Sequence, residues 1–285
     1  MKPVDEIKTI AVIGAGTMGA GIAQMCAQAG IETLLYDINE AAVTKGFSIV
    51  EKNLNGAVEK GKMNEEKKNE ILSRIKTSFA FPDLVADVFI EAAIEKLEIK
   101  KDIFQKLAAQ NSADSIFATN TSSIPITKIA EGIQSEERII GMHFFNPAHL
   151  MKLVEVVVGE KTSDEVSKLI FDLCLKIGKE PVMAKDYPGF IVNRIGKLYH
   201  TEPLKILEEK IASVETIDAL LESTGFKMGP FKLIDLIGVD ANLNVTKSLY
   251  ELSNGEEKFK PSSIQQKIVD AGKLGRKSGE GFYKY

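Results

Sequence analysis

Between Thr9 and about Lys185 the chain alternates short apolar runs with amphipathic segments, the pattern that parallel strands and their crossover helices leave in sequence. The runs Thr9–Ile13, Glu32–Tyr36, Val88–Glu91, Ile116–Thr119 and Ile139–Phe144 predict strands, followed by Val154–Val158 and Pro181–Met183. Several are apolar on both faces, as strands covered by helices on either side must be. Gly19–Gly30 predicts a helix that packs through small residues. Glu40–Arg74 is too long and too charged for a simple crossover, and predicts two helices hinged near Gly61 that project from the sheet as a helical hairpin. Thr162-Ser163-Asp164-Glu165 has the form of a capping box ahead of a helix over Val166–Ile177, with Gly178 as its stop.

The alternation breaks at Lys185-Asp186-Tyr187-Pro188-Gly189-Phe190. Beyond it only helical periodicity remains, over Phe190–Glu209, Val214–Ser223, Leu233–Leu252 and Ser262–Ala271. Pro203, inside the first of these, is expected to kink it by removing one backbone hydrogen bond. The fold class expected is therefore α/β: a doubly wound sheet with a helical hairpin insertion over residues 1–185, then an all-α C-terminal domain over 186–285.

Within that pattern one segment carries chemistry of its own. The first strand ends in Gly14-Ala15-Gly16-Thr17-Met18-Gly19, which opens a helix, and the second strand ends in Asp37. Gly14 permits the tight turn, Gly16 lets backbone approach a pyrophosphate, and Gly19 lets helix and strand pack closely. The helix N-terminus presents unpaired N–H groups and a positive dipole end to phosphates. Asp37 suits both ribose hydroxyls of NAD and repels the 2′-phosphate of NADP. Strand, glycines, helix, strand and acid in this order make a Rossmann-type dinucleotide site, with NAD the expected cofactor.

Bulk properties narrow the partners. The 285 residues are 44% hydrophobic and 27% charged, with a net charge of −4, which argues against a nucleic acid or an acidic membrane as the main partner. The two cysteines, Cys26 and Cys174, lack metal or redox spacing and read as buried small hydrophobes in a reducing compartment. No apolar run approaches the ~18 residues of a membrane span. Met1–Lys8 has neither signal nor transit character, so the cytoplasm is the expected location.

Of the three histidines, His143 sits near the carboxyl end of Ile139–Phe144, the edge where open α/β sheets bind ligands. Glu155 lies on the next strand, which returns to the same edge. A carboxylate amid Leu153-Val154-Glu155-Val156-Val157-Val158 needs a partner. If that partner is His143, the pair has the base-and-orienter form suited to alcohol oxidation. A purely structural histidine is the plainer alternative. Asn120-Thr121-Ser122-Ser123 follows the strand Ile116–Thr119 at the same edge. Its short polar side chains suit a substrate oxygen or a carboxamide, and equally an ordinary turn.

Taken together, Gly14–Gly19, Ile90-Glu91-Ala92-Ala93-Ile94-Glu95, Thr119–Ser123 and Gly141-Met142-His143-Phe144-Phe145-Asn146-Pro147 resemble the L-3-hydroxyacyl-CoA dehydrogenases. So do Met151–Val157, Pro188-Gly189-Phe190-Ile191-Val192-Asn193-Arg194 and Leu274-Gly275-Arg276-Lys277-Ser278-Gly279, and among the members the chain resembles the short bacterial 3-hydroxybutyryl-CoA dehydrogenases. The resemblance implies an acyl-CoA substrate, His143 as general base with Glu155 behind it, and Ser122 and Asn193 around the substrate's 3-oxygen and the imidazole. It implies NAD contacts from Glu95, Lys100, Asn120, Ser122, Asn146 and Lys277, and a homodimer through the helical domain. CoA would run along the helical hairpin, where Lys52, Lys60 and Lys62 lie; a solvated charged face is the plainer alternative for any one of them. Two departures stand out. Gly56 falls where relatives carry a cation, and Tyr199-His200-Thr201-Glu202-Pro203 replaces an Asn-Glu-Ala segment beside the acyl pocket. Two other functions stay open on sequence: oxidation of a free 3-hydroxy acid or sugar acid, and a dinucleotide-binding protein without catalysis.

Overall fold

In the computed structural model, which describes residues 2–285, the chain divides into two compact units, one through Tyr187 and one over Pro188–Tyr285. The first is built on eight strands: β1 Thr9–Ile13, β2 Glu32–Tyr36, β3 Ile75–Ser78, β4 Val88–Glu91, β5 Ile116–Thr119, β6 Ile139–Phe144, β7 Leu153–Val158 and β8 Glu180–Lys185. Their order across the sheet is β3-β2-β1-β4-β5-β6-β7-β8, and every neighbouring pair is parallel except β6 with β7. Helices α1 Thr17–Gln28, α2 Glu40–Glu59, α3 Glu65–Ser73, α4 Leu97–Gln110, α5 Ile126–Ala130 and α6 Asp164–Lys176 complete this unit. The doubly wound expectation holds, and each predicted strand is present. The four residues of β4, like those of β5, are fully buried, which is why those strands read as unbroken apolar runs.

Helix α1 is buried along Gly19–Ala27, and its small side chains let it sit close on β1 and against α2. The insertion is two helices, as expected, with Gly61 at φ 66° between them and Asn39 and Asn64 capping their N-termini. Its inner face does more than project: Val43, Val50, Leu54 and Ile71 belong to the main core. The sequence pattern missed β3. Only Ile75 and Ser78 of Ile75-Lys76-Thr77-Ser78 are buried, because β3 is an edge strand with no apolar run to betray it. The cap of α6 also shifts by one residue. Ser163, and not Thr162, accepts from the Val166 N–H, while Thr162 donates to the Ile139 carbonyl.

The second unit holds α7 Val192–Gly196, α8 Leu198–Glu208, α9 Val214–Ser223, α10 Pro230–Ile237, α11 Val239–Leu252 and α12 Ser263–Asp270. Its core includes the cluster Leu204, Ile217, Phe231, Ile234 and Val239, with Leu243, Leu249 and Phe259 also buried. The expected helix Leu233–Leu252 is two helices, divided at Gly238, whose φ of 104° no continuing helix accommodates. The expected run Phe190–Glu209 is interrupted at Lys197, and Pro203 lies within the downstream piece. Among the described residues no helix is long and apolar enough to cross a membrane.

Candidate active site

The carboxyl ends of β1, β4, β5 and β6 share one edge of the sheet, since these strands run parallel. At the end of β1, Gly14 takes φ 101° and donates its N–H to the Tyr36 carbonyl at 2.8 Å. A Cβ on Gly14 would meet the Ala92 carbonyl oxygen at 2.6 Å, and one on Gly19 would lie 1.7 Å from the Gly14 oxygen. Both glycines are thus demanded by packing. Gly16 differs: no protein atom lies within 4 Å of where its Cβ would stand. The space a side chain would fill there is open, at the start of a helix that no side chain caps. That is the cradle a pyrophosphate requires.

Asp37 completes the cradle. Its Oδ2 accepts from the Ala15 N–H at 2.9 Å and its Oδ1 from the Asn39 N–H at 3.2 Å. Each oxygen keeps a further lone-pair direction for a ribose hydroxyl, and the side chain is only half-buried. The residues present therefore fit NAD.

Beside the cradle lies a buried ionic network that sequence reasoning did not foresee. Glu91 ends β4 fully buried, and both its oxygens accept from Lys100 Nζ, at 2.8 and 2.9 Å. Thr119 and the Ala93 N–H donate to the same carboxylate. Lys100 also reaches Glu95 at 3.1 Å. The other oxygen of Glu95 accepts from the Thr121 and Ser123 hydroxyls and from the Ser122 and Ser123 N–H groups. Burial pushes the Glu95 carboxyl up, but Lys100 and these hydrogen bonds outweigh it and hold the group below its ordinary value. Lys100 therefore acts by fixing Glu95 and the 120–123 loop; its ammonium is buried in that task. Asn120 has a similar part, accepting the Phe144 N–H at 2.8 Å and so tying this loop to the end of β6. A carboxylate closing the wholly apolar run Val88-Phe89-Ile90 was the one sequence signal of the network.

His143 is the penultimate residue of β6, and the antiparallel register sets it directly opposite Glu155 of β7. Its Nδ1 lies 2.6 Å from Glu155 Oε2, with the histidine 5% exposed and the glutamate fully buried. A carboxylate only accepts, so Nδ1 carries the proton and donates, and the lone pair of the neutral ring lies on Nε2. Phe145 packs on the imidazole at 4.6 Å between centroids. Asn146 is exposed just beyond the strand. The partner demanded of Glu155 on the strength of its apolar surroundings is thus His143 itself.

A family model for the 3-hydroxyacyl-CoA dehydrogenase NAD-binding domain matches residues 9–187, and one for the C-terminal domain of the same enzymes matches 189–285. The chain belongs to the 3-hydroxyacyl-CoA dehydrogenase family. A 3-hydroxyadipyl-CoA dehydrogenase of Escherichia coli is 46% identical over 98% of this chain, although the chain spans only 59% of that protein's length. A probable 3-hydroxybutyryl-CoA dehydrogenase of Deinococcus radiodurans is 41% identical, over 96% of this chain and 99% of its own. The crystal structure of an (S)-3-hydroxybutyryl-CoA dehydrogenase from Ralstonia eutropha superposes with a TM-score of 0.94 at 41% identity, covering 98% of this chain and 99% of that one.

In this family member the remaining expected residues lie on other elements. Lys52 and Lys60 are exposed on α2 and at its C-terminus, where Lys52 lines a groove with Ser48, Glu51, Asn55, Gly56 and Glu59. Asn193 and Lys277 belong to the second unit. Lys277 is paired with Asp240 at 2.6 Å. Asn193, on α7, lines a cavity of about 660 Å³ within that unit.

Proposed function

We propose that this protein oxidises the 3-hydroxyl of a short-chain (3S)-3-hydroxyacyl-CoA, and reduces the 3-oxo thioester in reverse, with the edge of the sheet at His143 as its active site. The observation that carries this is the His143–Glu155 pair, 2.6 Å apart and buried, on the same edge as the Gly14–Gly19 cradle. NAD held on that cradle and on Asp37 supplies the hydride acceptor.

In oxidation, His143 Nε2 takes the hydroxyl proton as the C3 hydrogen leaves with its electron pair. Glu155 stabilises the imidazolium that results, and by holding Nδ1–H it keeps the lone pair of the resting ring on Nε2. Ser122, whose backbone is held by Glu95, and Asn193 orient the 3-oxygen and the imidazole. Glu95, Lys100, Asn120, Asn146 and Lys277 support the cofactor, Lys100 and Asn120 through the groups they fix. Lys52 and Lys60 are the cations for the CoA phosphates along α2. The division of labour follows the two units: cofactor and base on the first, residues 1–185, and acyl recognition and dimerisation on the second, 186–285. We assign the protein to the cytoplasm, in keeping with two buried free cysteines.

The test follows NADH oxidation with acetoacetyl-CoA, with free acetoacetate as control. Consumption with the thioester alone is expected. Turnover of free acetoacetate but not of the thioester would place the chain among free-acid dehydrogenases.

A further inference from the structure

Glu91 holds a place in the first unit that neither the cradle nor the His143–Glu155 pair accounts for. It closes β4 in the middle of the sheet, level with Ile13 of β1 on one side and Thr119 of β5 on the other. Those two strands lead into the segments that matter at this edge, β1 into the Gly14–Gly19 turn and β5 into the loop of Ser122. The backbone laces the three ends together. The Ala92 N–H donates to the Ile13 carbonyl and the Asn120 N–H to the Glu91 carbonyl, each at 2.7 Å.

The side chain ties the same segments a second time. Oε1 accepts from Lys100 Nζ at 2.8 Å and from the Ala93 N–H at 2.7 Å. Oε2 accepts from the same ammonium at 2.9 Å and from the Thr119 hydroxyl at 2.7 Å. A carboxylate has about four acceptor directions, so all of them are taken. Because it is wholly buried, Glu91 can touch neither cofactor nor substrate, and whatever it does for the reaction it does through these partners.

Each partner leads on to the reacting edge. The Ala92 carbonyl oxygen and the Ala93 nitrogen are the atoms that a Cβ on Gly14 would strike, at 2.6 and 2.8 Å, so the turn held by Glu91 is the turn packed on the cradle. Thr119 Oγ1 accepts from the Thr121 N–H at 3.2 Å. Lys100 reaches Glu95, whose other oxygen accepts from the Ser122 N–H at 3.1 Å. A buried ion pair is no more stabilising than apolar side chains of like volume, so packing alone does not account for charges here. We propose that Glu91 is a positioning residue of the dehydrogenase, setting the placement of the Ser122 loop against the cofactor cradle. This role rests on the dehydrogenase reading above, with Ser122 at the 3-oxygen. Reacting groups misplaced by about 1 Å can cost ~10²-fold in rate, which is what the carboxylate guards against.

Glu91→Gln keeps the volume and an acceptor for the Ala93 N–H, but sets an amide NH₂ where Lys100 or Thr119 donates. With acetoacetyl-CoA and NADH its kcat is expected to fall by ~10- to 100-fold. Ser122→Ala separates positioning from plain structure. If Glu91 works through the loop, the double variant should lose at least ~5-fold less in kcat than the product of the two single losses, whereas independent effects multiply. Thr119→Val, which removes the hydroxyl and keeps the shape, should cost ~10-fold, and Thr119→Ser should restore the rate. That pair decides the matter if Glu91→Gln does not fold. A folded Glu91→Gln protein with the parent's kcat and KM overturns the role, whatever its Tm. So do losses that multiply with those of Ser122→Ala, or, in the second pair, a Thr119→Val protein as fast as its parent. All of these leave the dehydrogenase reading intact. Should the parent protein fail to reduce acetoacetyl-CoA, that reading falls and the role of Glu91 with it.

Discussion

The 2.6 Å contact between His143 Nδ1 and Glu155 Oε2 joins two residues that β-pairing already sets face to face. Glu155→Gln keeps an acceptor for Nδ1–H but removes the charge that supports the imidazolium, so it separates orientation from electrostatics. Turnover should fall by ~10²–10⁴ while the NAD dissociation constant stays within about twofold. Comparable losses in both would make the pair a structural one. Asp37→Ala, read by the NAD to NADP preference, should narrow that preference by ~10-fold or more as the ribose loses a charge-assisted partner. An unchanged preference would contradict the ribose assignment. Both sites were legible in sequence for a physical reason: a lone carboxylate in an apolar strand, or at a strand end past a glycine turn, has few explanations. The network of Glu91, Lys100 and Glu95 was not, because a strand, a loop and a helix must fold before these charges meet.

Helix α8 carries at its start a group that works against the fold. Burial pushes the Lys197 ammonium down to about 7 from an ordinary 10.5. With a folded value below the unfolded one, the unfolded chain holds this proton more tightly. The group's contribution is then full above 10.5 and is lost as pH falls toward 7. Among the described residues the titratable neighbour in its polar cluster is His200, and no carboxylate is seen to offset the penalty. Lys197→Met leaves the Asn242 carbonyl satisfied, since Thr246 also donates to it at 2.9 Å. That substitution should raise the Tm at pH 7, and the gain should shrink as pH approaches 10. A lower Tm at pH 7, in thermal unfolding followed by circular dichroism, would show the ammonium to be net stabilising. At this scale the limits of sequence reading are also plain. Strands buried on both faces declared themselves, whereas the polar edge strand β3 did not. The periodicity of Leu233–Leu252 ran straight through Gly238, because a break in backbone geometry need not disturb the spacing of apolar side chains.

For the whole molecule, each of the two units buries an apolar core of its own. The sheet unit has a large continuous core around α1, α2 and the strands, whereas the helical unit is built on Leu204, Ile217, Phe231, Ile234 and Val239. Its C-terminal segment is tied down by two buried carboxylates. Asp218 accepts from the Phe231 and Lys232 N–H groups and the Tyr283 hydroxyl, and Asp235 from the Phe282 and Tyr283 N–H groups and the Tyr285 hydroxyl. Yet the same unit leaves Ile195, Leu198, Leu220, Phe226, Leu236 and Ile237 exposed, Leu220 by 62% and Leu236 by 49%. Scattered apolar residues are normal on a surface, but a unit of this size showing so many large ones is suited to covering by a second copy. The protein should therefore run in solution at twice its chain mass by light scattering. The double substitution Leu220→Glu with Leu236→Glu should shift it to the monomer at micromolar concentration, since a charge at each position would be buried against a like charge or an apolar wall. The far-ultraviolet circular dichroism of that variant should match the parent, because neither side chain belongs to the core. A wild-type protein that is monomeric at tens of micromolar would sink the dimer, and a double variant that remains dimeric would move the interface to another face of the chain.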